Sequence, residues 1–190
     1  SRLQRALARG SERTRDVLTG PVQQRVAAPL RVALFGRRLD VALLAVVLTP
    51  LLALAVAWWV GSTVEYATLE GWVRGTWDGT NPVPAVFFAV AALLVLGAIS
   101  AAVGAGLVPT TLLVAGPIFG AAVTRYGTEV TYNWGTTVVS LPDAVGVAGL
   151  FALSFGAPIA LCGFLLGRAL RRITRVLVGG SGPSSRPEQV

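Results

Sequence analysis

Few side chains in this sequence of 190 residues could carry out chemistry, and none stands beside a partner that would activate it. The sequence contains no His and no Lys. This excludes a Ser–His–Asp triad, a His-ligated zinc site and a phosphate-binding loop of the Walker type. Cys162 is the single cysteine, so neither an intrachain disulfide nor a thiolate metal cluster can form. We therefore expect a protein that is not an enzyme and that has no cofactor or metal.

Six uncharged, weakly polar side chains lie within long apolar stretches of the sequence. A proton-coupled transporter usually holds an ionisable group at membrane depth, and these stretches contain no Asp, Glu or Arg. Such polar side chains more often form hydrogen bonds between helices, each contributing about 0.6–2 kcal/mol. The six are Thr49, Ser100, Thr110, Thr111, Ser154 and Cys162.

Tryptophan, tyrosine and acidic residues gather between residues 58 and 143. All five Trp and all three Tyr lie in this part of the chain, together with five of the nine acidic residues. One hypothesis is a site for a cation or for the basic surface of a partner. The alternative, which we favour, is a belt of interfacial aromatic rings beside ordinary solvated loops. The five acidic residues are Glu65, Glu70, Asp78, Glu129 and Asp143.

The elements that must position these residues are transmembrane helices. Hydrophobic residues make up 54% of the chain, charged residues only 13%, and the mean hydropathy is +0.68. The uncharged run from Gly79 to Thr124 is too long for one crossing of a bilayer and long enough for two, with Gly104 to Gly106 as the turn. We predict an all-α integral membrane protein with four transmembrane helices, at about 41–60, 84–104, 107–124 and 144–167.

The arginines predict the orientation of these helices. Residues 1–38 hold nine Arg and two acidic residues, a net charge of +7, and more Arg follow the last apolar stretch. By the positive-inside rule, both termini are cytoplasmic. Apolar residues at helical spacing predict amphipathic interfacial helices in the N-terminal segment, bound to anionic headgroups; the absence of interleaved aromatics disfavours nucleic acid as a partner. The arginines expected at the membrane surface are Arg25, Arg31, Arg37, Arg38, Arg168, Arg171, Arg172 and Arg175.

The chain thus divides into an Arg-rich amphipathic segment (1–38), a four-helix transmembrane domain (39–178) and a disordered tail (179–190). Between the helices, Val64 to Val73 has the spacing of a short interfacial helix. Residues 129–139 alternate well enough to predict a small β-hairpin.

Small residues form stripes along the predicted helices, where they allow helix backbones to approach closely in lipid. The last helix has the clearest stripe, which also includes Ala152 and Ala160. The glycines that we expect to mediate helix packing are Gly149, Gly156, Gly163 and Gly167 in the last helix, and Gly116 and Gly120 in the third.

Three classes of function are compatible with these features. The first is a non-enzymatic accessory or structural subunit of the plasma membrane, which packs through its small-residue stripes against copies of itself or a larger membrane protein. The alternative is a homo-oligomeric channel or transporter, with backbone carbonyls freed by Pro50, Pro117 and Pro158. An intramembrane enzyme is the third, and no nucleophile with an adjacent base supports it.

Overall fold

The computed structural model describes residues 33, 34, 36, 39–133 and 135–179 of the chain. Most of the described residues are helical, and two short strands form the remaining regular structure. The elements are α1 (Leu39–Trp59), a π-helical turn (Val60–Val64), α2 (Tyr66–Trp77), α3 (Pro84–Val103), α4 (Leu107–Val123), β1 (Glu129–Tyr132), β2 (Gly135–Val138) and α5 (Leu141–Gly179).

Local sequence explains where the helices begin and end. Pro84 occupies the first turn of α3, where its missing N–H would have no intrahelical partner in any residue type. Gly104 ends α3 in the left-handed conformation, with φ +105°, and its N–H donates to the carbonyls of Ser100 and Ala101. The predicted bounds of the four long helices are met within a few residues, except that α5 continues to Gly179.

Three helical stretches of the described chain are long and apolar enough to cross a membrane. They are Asp40–Val64, Pro84–Val103 and Leu141–Thr174. The fourth predicted span, α4, is apolar but has only 17 residues, or about 26 Å of helix.

The order of the helices in space differs from their order in the chain. α4 packs extensively against α1 on one side and α5 on the other, and α5 packs extensively against α3. Although α3 and α4 are joined by a tight turn, their mutual contact is much smaller. The four long helices therefore lie in the order α1, α4, α5, α3. Along most of their length α5 lies between α3 and α4, the two helices that the turn joins.

The two ends of the bundle differ in structure. One end, here called the turn end, carries the α3–α4 turn, where Gly36 forms an isolated antiparallel bridge with Ala105. The opposite end, the loop end, carries residues 60–83 and 124–140. There α2 forms near the short helix predicted from Val64 to Val73, and β1 pairs with β2 from Glu129↔Val138 to Tyr132↔Gly135, which confirms the predicted hairpin.

Part of the sequence-based interpretation lies outside the described residues. This applies to the amphipathic helices predicted before residue 33 and to residues 180–190 of the predicted tail. It applies as well to four of the arginines expected at the membrane surface, namely Arg25, Arg31, Arg37 and Arg38.

Candidate functional site

Two glycines of α4 lie directly against the backbone of α1. A Cβ atom built on Gly116 would lie 2.9 Å from the carbonyl oxygen of Thr49 and 3.0 Å from its Cγ2. A Cβ built on Gly120 would overlap the carbonyl oxygen of Ala53 and lie 2.8 Å from its carbonyl carbon. Real Cβ atoms essentially never come within 3.0 Å of such atoms, so a larger residue at Gly120 requires the two helices to move apart.

Three glycines of α5 make similar contacts with the neighbouring helices. A Cβ on Gly156 would lie 3.0 Å from the Cα of Ala115 in α4. On Gly163 it would lie 2.9 Å from the carbonyl oxygen of Leu94 in α3, and on Gly167 it would overlap the backbone of α3. The stripe therefore packs against α4 near its middle and against α3 towards the turn end.

Gly149 lies off this packed face. No heavy atom would come within 4 Å of a Cβ built there, and the same is true of Gly146. The packed face of α5 instead continues through Ala152, Ala148 and Ala144, all of which are buried. At this end of α5 the buried side is that of Ala148. Consecutive residues of a helix point about 100° apart, so Gly149 lies to one side of the contact.

A buried hydroxyl pair joins α3 to α4 near their turn. The hydroxyls of Ser100 and Thr110 lie 3.0 Å apart, and that of Thr110 also lies 2.9 Å from the carbonyl oxygen of Gly106, to which it donates. Because the Thr110 proton goes to that carbonyl, Ser100 is the donor to Thr110. No buried side-chain nitrogen or oxygen of the described residues lacks a hydrogen-bond partner.

The other polar side chains within the apolar helices have no such role between helices. Thr49 and Thr111 donate to carbonyls of their own helices, at Ala45 (2.8 Å) and Leu107 (2.9 Å). Cys162 is exposed on α5, as is Ser154. The described residues also contain no group of three or more His, Cys, Asp or Glu side chains that could hold a metal ion.

Arginines line α5 at the level of the turn end and beyond it. The guanidinium of Arg168 lies 4.6 Å from the ring centroid of Phe164, a cation–π contact. That of Arg171 lies beside the α3–α4 turn, 3.5 Å from a Cβ built on Gly104. Arg172 is exposed. Arg175 belongs to the same helix, and its side chain lies outside what the structure describes.

The loop end contains a cleft of about 280 Å³ between α2 and the segment that follows α4. Tyr66, Ala67 and Glu70 line it from α2, and Arg125 lines it from the opposite side, followed by residues 128–131. Glu70 forms an ion pair with Arg74, with 2.9 Å between Oε1 and Nη2. Both partners are largely exposed, so this pair contributes little stability.

Burial raises the pKa of the Tyr66 phenol above its ordinary value of 10.0. The carboxylate of Glu70 acts in the same direction, while the guanidiniums of Arg125 and Arg74 oppose it. The phenol is therefore protonated at neutral pH and can donate a hydrogen bond into the cleft.

Sequence reasoning named the acidic residues of this cleft but missed its basic member. Arg125 ends the long uncharged run and therefore served only to mark the end of a helix. Its proximity to Tyr66 and Glu70 depends on how α2 is placed beside the segment that follows α4, and no local pattern in the sequence encodes this.

No curated protein matches the chain, and neither does any solved structure. One family model, described as Domain of unknown function (DUF8071), matches residues 35–179. The match covers more than half of the chain and includes every element from α1 to α5. The chain belongs to this family, Domain of unknown function (DUF8071).

Proposed function

We propose that the chain is a multi-pass protein of the plasma membrane, with four crossings. The three long apolar stretches supply three of them. α4 supplies the fourth, because its 17 residues lie at the lower limit of known spans and it is enclosed between α1 and α5 at the same depth. An even number of crossings also agrees with Arg-rich segments at both termini.

The turn end faces the cytoplasm in this proposal. α1 follows the Arg-rich N-terminal segment, and the C-terminal part of α5 carries Arg168, Arg171 and Arg172 beyond the same end. The loop end, which carries four acidic residues between Glu65 and Glu129 and only Arg74 and Arg125, faces outwards. On the cytoplasmic side the arginines contact anionic headgroups, each adding about 1 kcal/mol of attraction.

Within this topology we propose a non-enzymatic role, as a structural or accessory subunit. The observation that carries this proposal is that every buried polar side chain among the described residues has a hydrogen-bond partner. The hydroxyl of Ser100 bonds to that of Thr110, which donates to the carbonyl of Gly106. A bundle that transports a solute or reacts with a substrate needs polar groups free to receive it. Here such groups serve to hold helices together.

The contact with another subunit would use faces that the bundle leaves uncovered. Five of the six packing glycines already contact helices of the same chain, so they are not available to a partner. Gly146 and Gly149 have no neighbour within 4 Å of a built Cβ, and with the adjacent exposed Leu150 and Leu153 they form the open face of α5. Small residues on such a face allow another helix to approach closely.

A labelling experiment tests the topology. In a Cys162→Ala background, a single cysteine is introduced at the loop end by Asp78→Cys or beyond the turn end by Thr174→Cys, both at exposed positions. In intact cells, a membrane-impermeant maleimide should label the first protein and not the second until the membrane is opened. Equal labelling of both proteins in intact cells would contradict the orientation.

Native mass spectrometry in mild detergent tests the role as a subunit. We expect the chain to be extracted with a larger partner or as a homo-oligomer, and Gly149→Leu to disperse the complex without unfolding the chain. Leu at Gly163 is the matched comparison, because it should unfold the bundle itself. A stable homo-oligomer that conducts ions in vesicles would instead favour the channel. A monomer with no partner would contradict the proposal.

A further inference from the structure

We propose that the cleft at the loop end binds a zwitterion that carries a phosphate and a primary ammonium, the chemistry of a phosphoethanolamine headgroup. This cleft is formed by α2, Arg125 and residues 128–131. Binding of this ligand class follows from the charges that line the cleft. Only the source of the ligand depends on the proposed orientation in the membrane.

The cleft presents two opposite charges that do not neutralise each other. Arg125 and Glu129 both line it, yet neither forms an ion pair with the other or with another described residue. Glu70, the remaining acidic residue of the lining, is paired with Arg74. The guanidinium of Arg125 is partly buried and the carboxylate of Glu129 is exposed. A ligand of opposite polarity can form charged hydrogen bonds with both groups at once.

The net charge around the cleft favours a zwitterion over a simple ion. Two acidic residues, Glu70 and Glu129, are balanced by two basic residues, Arg74 and Arg125. An isolated cation would be repelled by the free guanidinium, and an isolated anion by the free carboxylate. A phosphate accepts paired hydrogen bonds from arginine, and a primary ammonium donates to a carboxylate.

The positions of the charged groups are fixed by backbone structure. The hydroxyl of Thr128 donates to the carbonyl oxygen of Arg125 at 2.7 Å, and the N–H of Thr128 donates to the same atom at 3.1 Å. The N–H of Val139 donates to the carbonyl of Thr128, and Glu129 begins the β-hairpin. Opposite them, the protonated phenol of Tyr66 belongs to the first turn of α2 and can donate to a phosphate oxygen.

The cleft also lies at the depth of phospholipid headgroups in the proposed topology. Arg125 follows the last residue of α4 by two positions, and Tyr66 follows the apolar stretch Asp40–Val64 by two positions. Both belong to the outward end of the bundle. A lipid headgroup in the outer leaflet is therefore one source of the ligand, and a soluble phosphate ester of ethanolamine is the other.

The test measures binding to the full chain in a detergent without phosphate. Glycerophosphoethanolamine is titrated into the purified protein by calorimetry, beside ethanolamine as the cation alone and glycerol phosphate as the anion alone. The zwitterion should bind at least ten-fold more tightly than either fragment. Arg125→Gln and Glu129→Gln should each weaken its binding by about ten-fold, since each removes one charged hydrogen-bonding partner.

Asp78→Asn is the matched control, because Asp78 is an exposed acidic residue of the loop end that does not line the cleft. It should bind the ligand as the unchanged protein does, and all variants should keep the same circular dichroism and melting temperature. Absence of binding by the unchanged protein would overturn the inference, as would equal binding by Arg125→Gln and Asp78→Asn.

A second comparison distinguishes the two sources of the ligand. Tighter retention of diacyl phosphatidylethanolamine than of its soluble headgroup in native mass spectrometry identifies the lipid, and equal affinity identifies the soluble ester. Phosphatidylcholine should be retained more weakly, because its trimethylated ammonium cannot donate hydrogen bonds. The soluble ligand binds without insertion into a bilayer, so failure of the cysteine labelling would overturn the topology and leave this site intact.

Discussion

Replacing Gly120 by Ala tests the close approach of α1 and α4. The added Cβ would lie 2.8 Å from the carbonyl carbon of Ala53, whereas non-bonded carbon atoms normally lie about 3.5–4.0 Å apart. This contact alone requires the helices to separate by roughly 0.7–1.2 Å. The carbonyl oxygen of Ala53 would lie closer still to the new Cβ, so roughly 0.7 Å is a lower bound. Because the atoms of Ala53 belong to the backbone, no rotation of a side chain can relieve the overlap.

The expected cost follows from two opposing effects. Overpacking of this kind costs about 3 kcal/mol at the upper end of its usual range, and Ala is about 1 kcal/mol better than Gly within a helix. Gly120→Ala should therefore lower the free energy of unfolding by about 2 kcal/mol, a factor of about 30 in the folded-to-unfolded ratio. For a chain of this size the melting temperature should fall by about 4–8 °C.

Thermal unfolding in one detergent, followed by near-ultraviolet circular dichroism, measures this change. Gly149→Ala is the control, since no heavy atom lies within 4 Å of the position of its new Cβ. It should keep or slightly raise the melting temperature. Equal melting temperatures for the two variants, or a lower one for Gly149→Ala, would refute the packing of α1 against α4.

Three further predictions concern the polar groups. Thr110→Val should lower the free energy of unfolding by about 1 kcal/mol, because Ser100 loses its buried acceptor; a double-mutant cycle with Ser100→Ala that shows no coupling would contradict the hydrogen bond. Tyr66→Phe should remove a tyrosinate step above pH 10.0 from an absorbance titration, since burial raises the pKa of this phenol above its ordinary value of 10.0. For the same reason the free energy of unfolding of the unchanged protein should fall as the pH rises beyond 10.0, and that of Tyr66→Phe should fall less. A titration that is the same for both proteins would count against the burial of Tyr66. Arg74→Gln should change the free energy of unfolding, measured with a denaturant, by less than about 1 kcal/mol, because the ion pair of Arg74 with Glu70 is exposed. A larger loss would show an additional contact.

Features that depend on neighbouring residues were readable from the sequence. The uncharged run between Asp78 and Arg125 predicts two helices with a glycine turn between them, and the structure has α3 and α4 there. The alternating residues around Tyr132 predict the hairpin that β1 and β2 form. Hydropathy, proline and glycine act within a few residues, so they indicate the extent of an element without reference to the rest of the fold.

Which faces of the helices meet could be predicted only in part. In lipid-exposed helices both the packed and the exposed faces are apolar, so hydrophobic periodicity does not mark the buried side as it does in a soluble helix. Small residues remain as an indicator of the packed face. Where small residues lie on several faces of a helix, they do not show which face is packed. Gly156 and Gly163 lie on the packed face of α5, but Ala148 continues it where Gly149 was expected.

The sequence by itself determined the number and extent of the apolar helices, the turn at Gly104 and the distribution of charge along the chain. Only the tertiary structure decided that α5 inserts beside α4 and that Arg125 faces Tyr66 across a cleft. Helix formation depends on bonds between residues four apart, whereas helix pairing depends on the fit of surfaces more than 30 residues apart, such as Gly156 against Ala115. That fit depends on two distant segments together, so it cannot be predicted from the sequence of either segment alone.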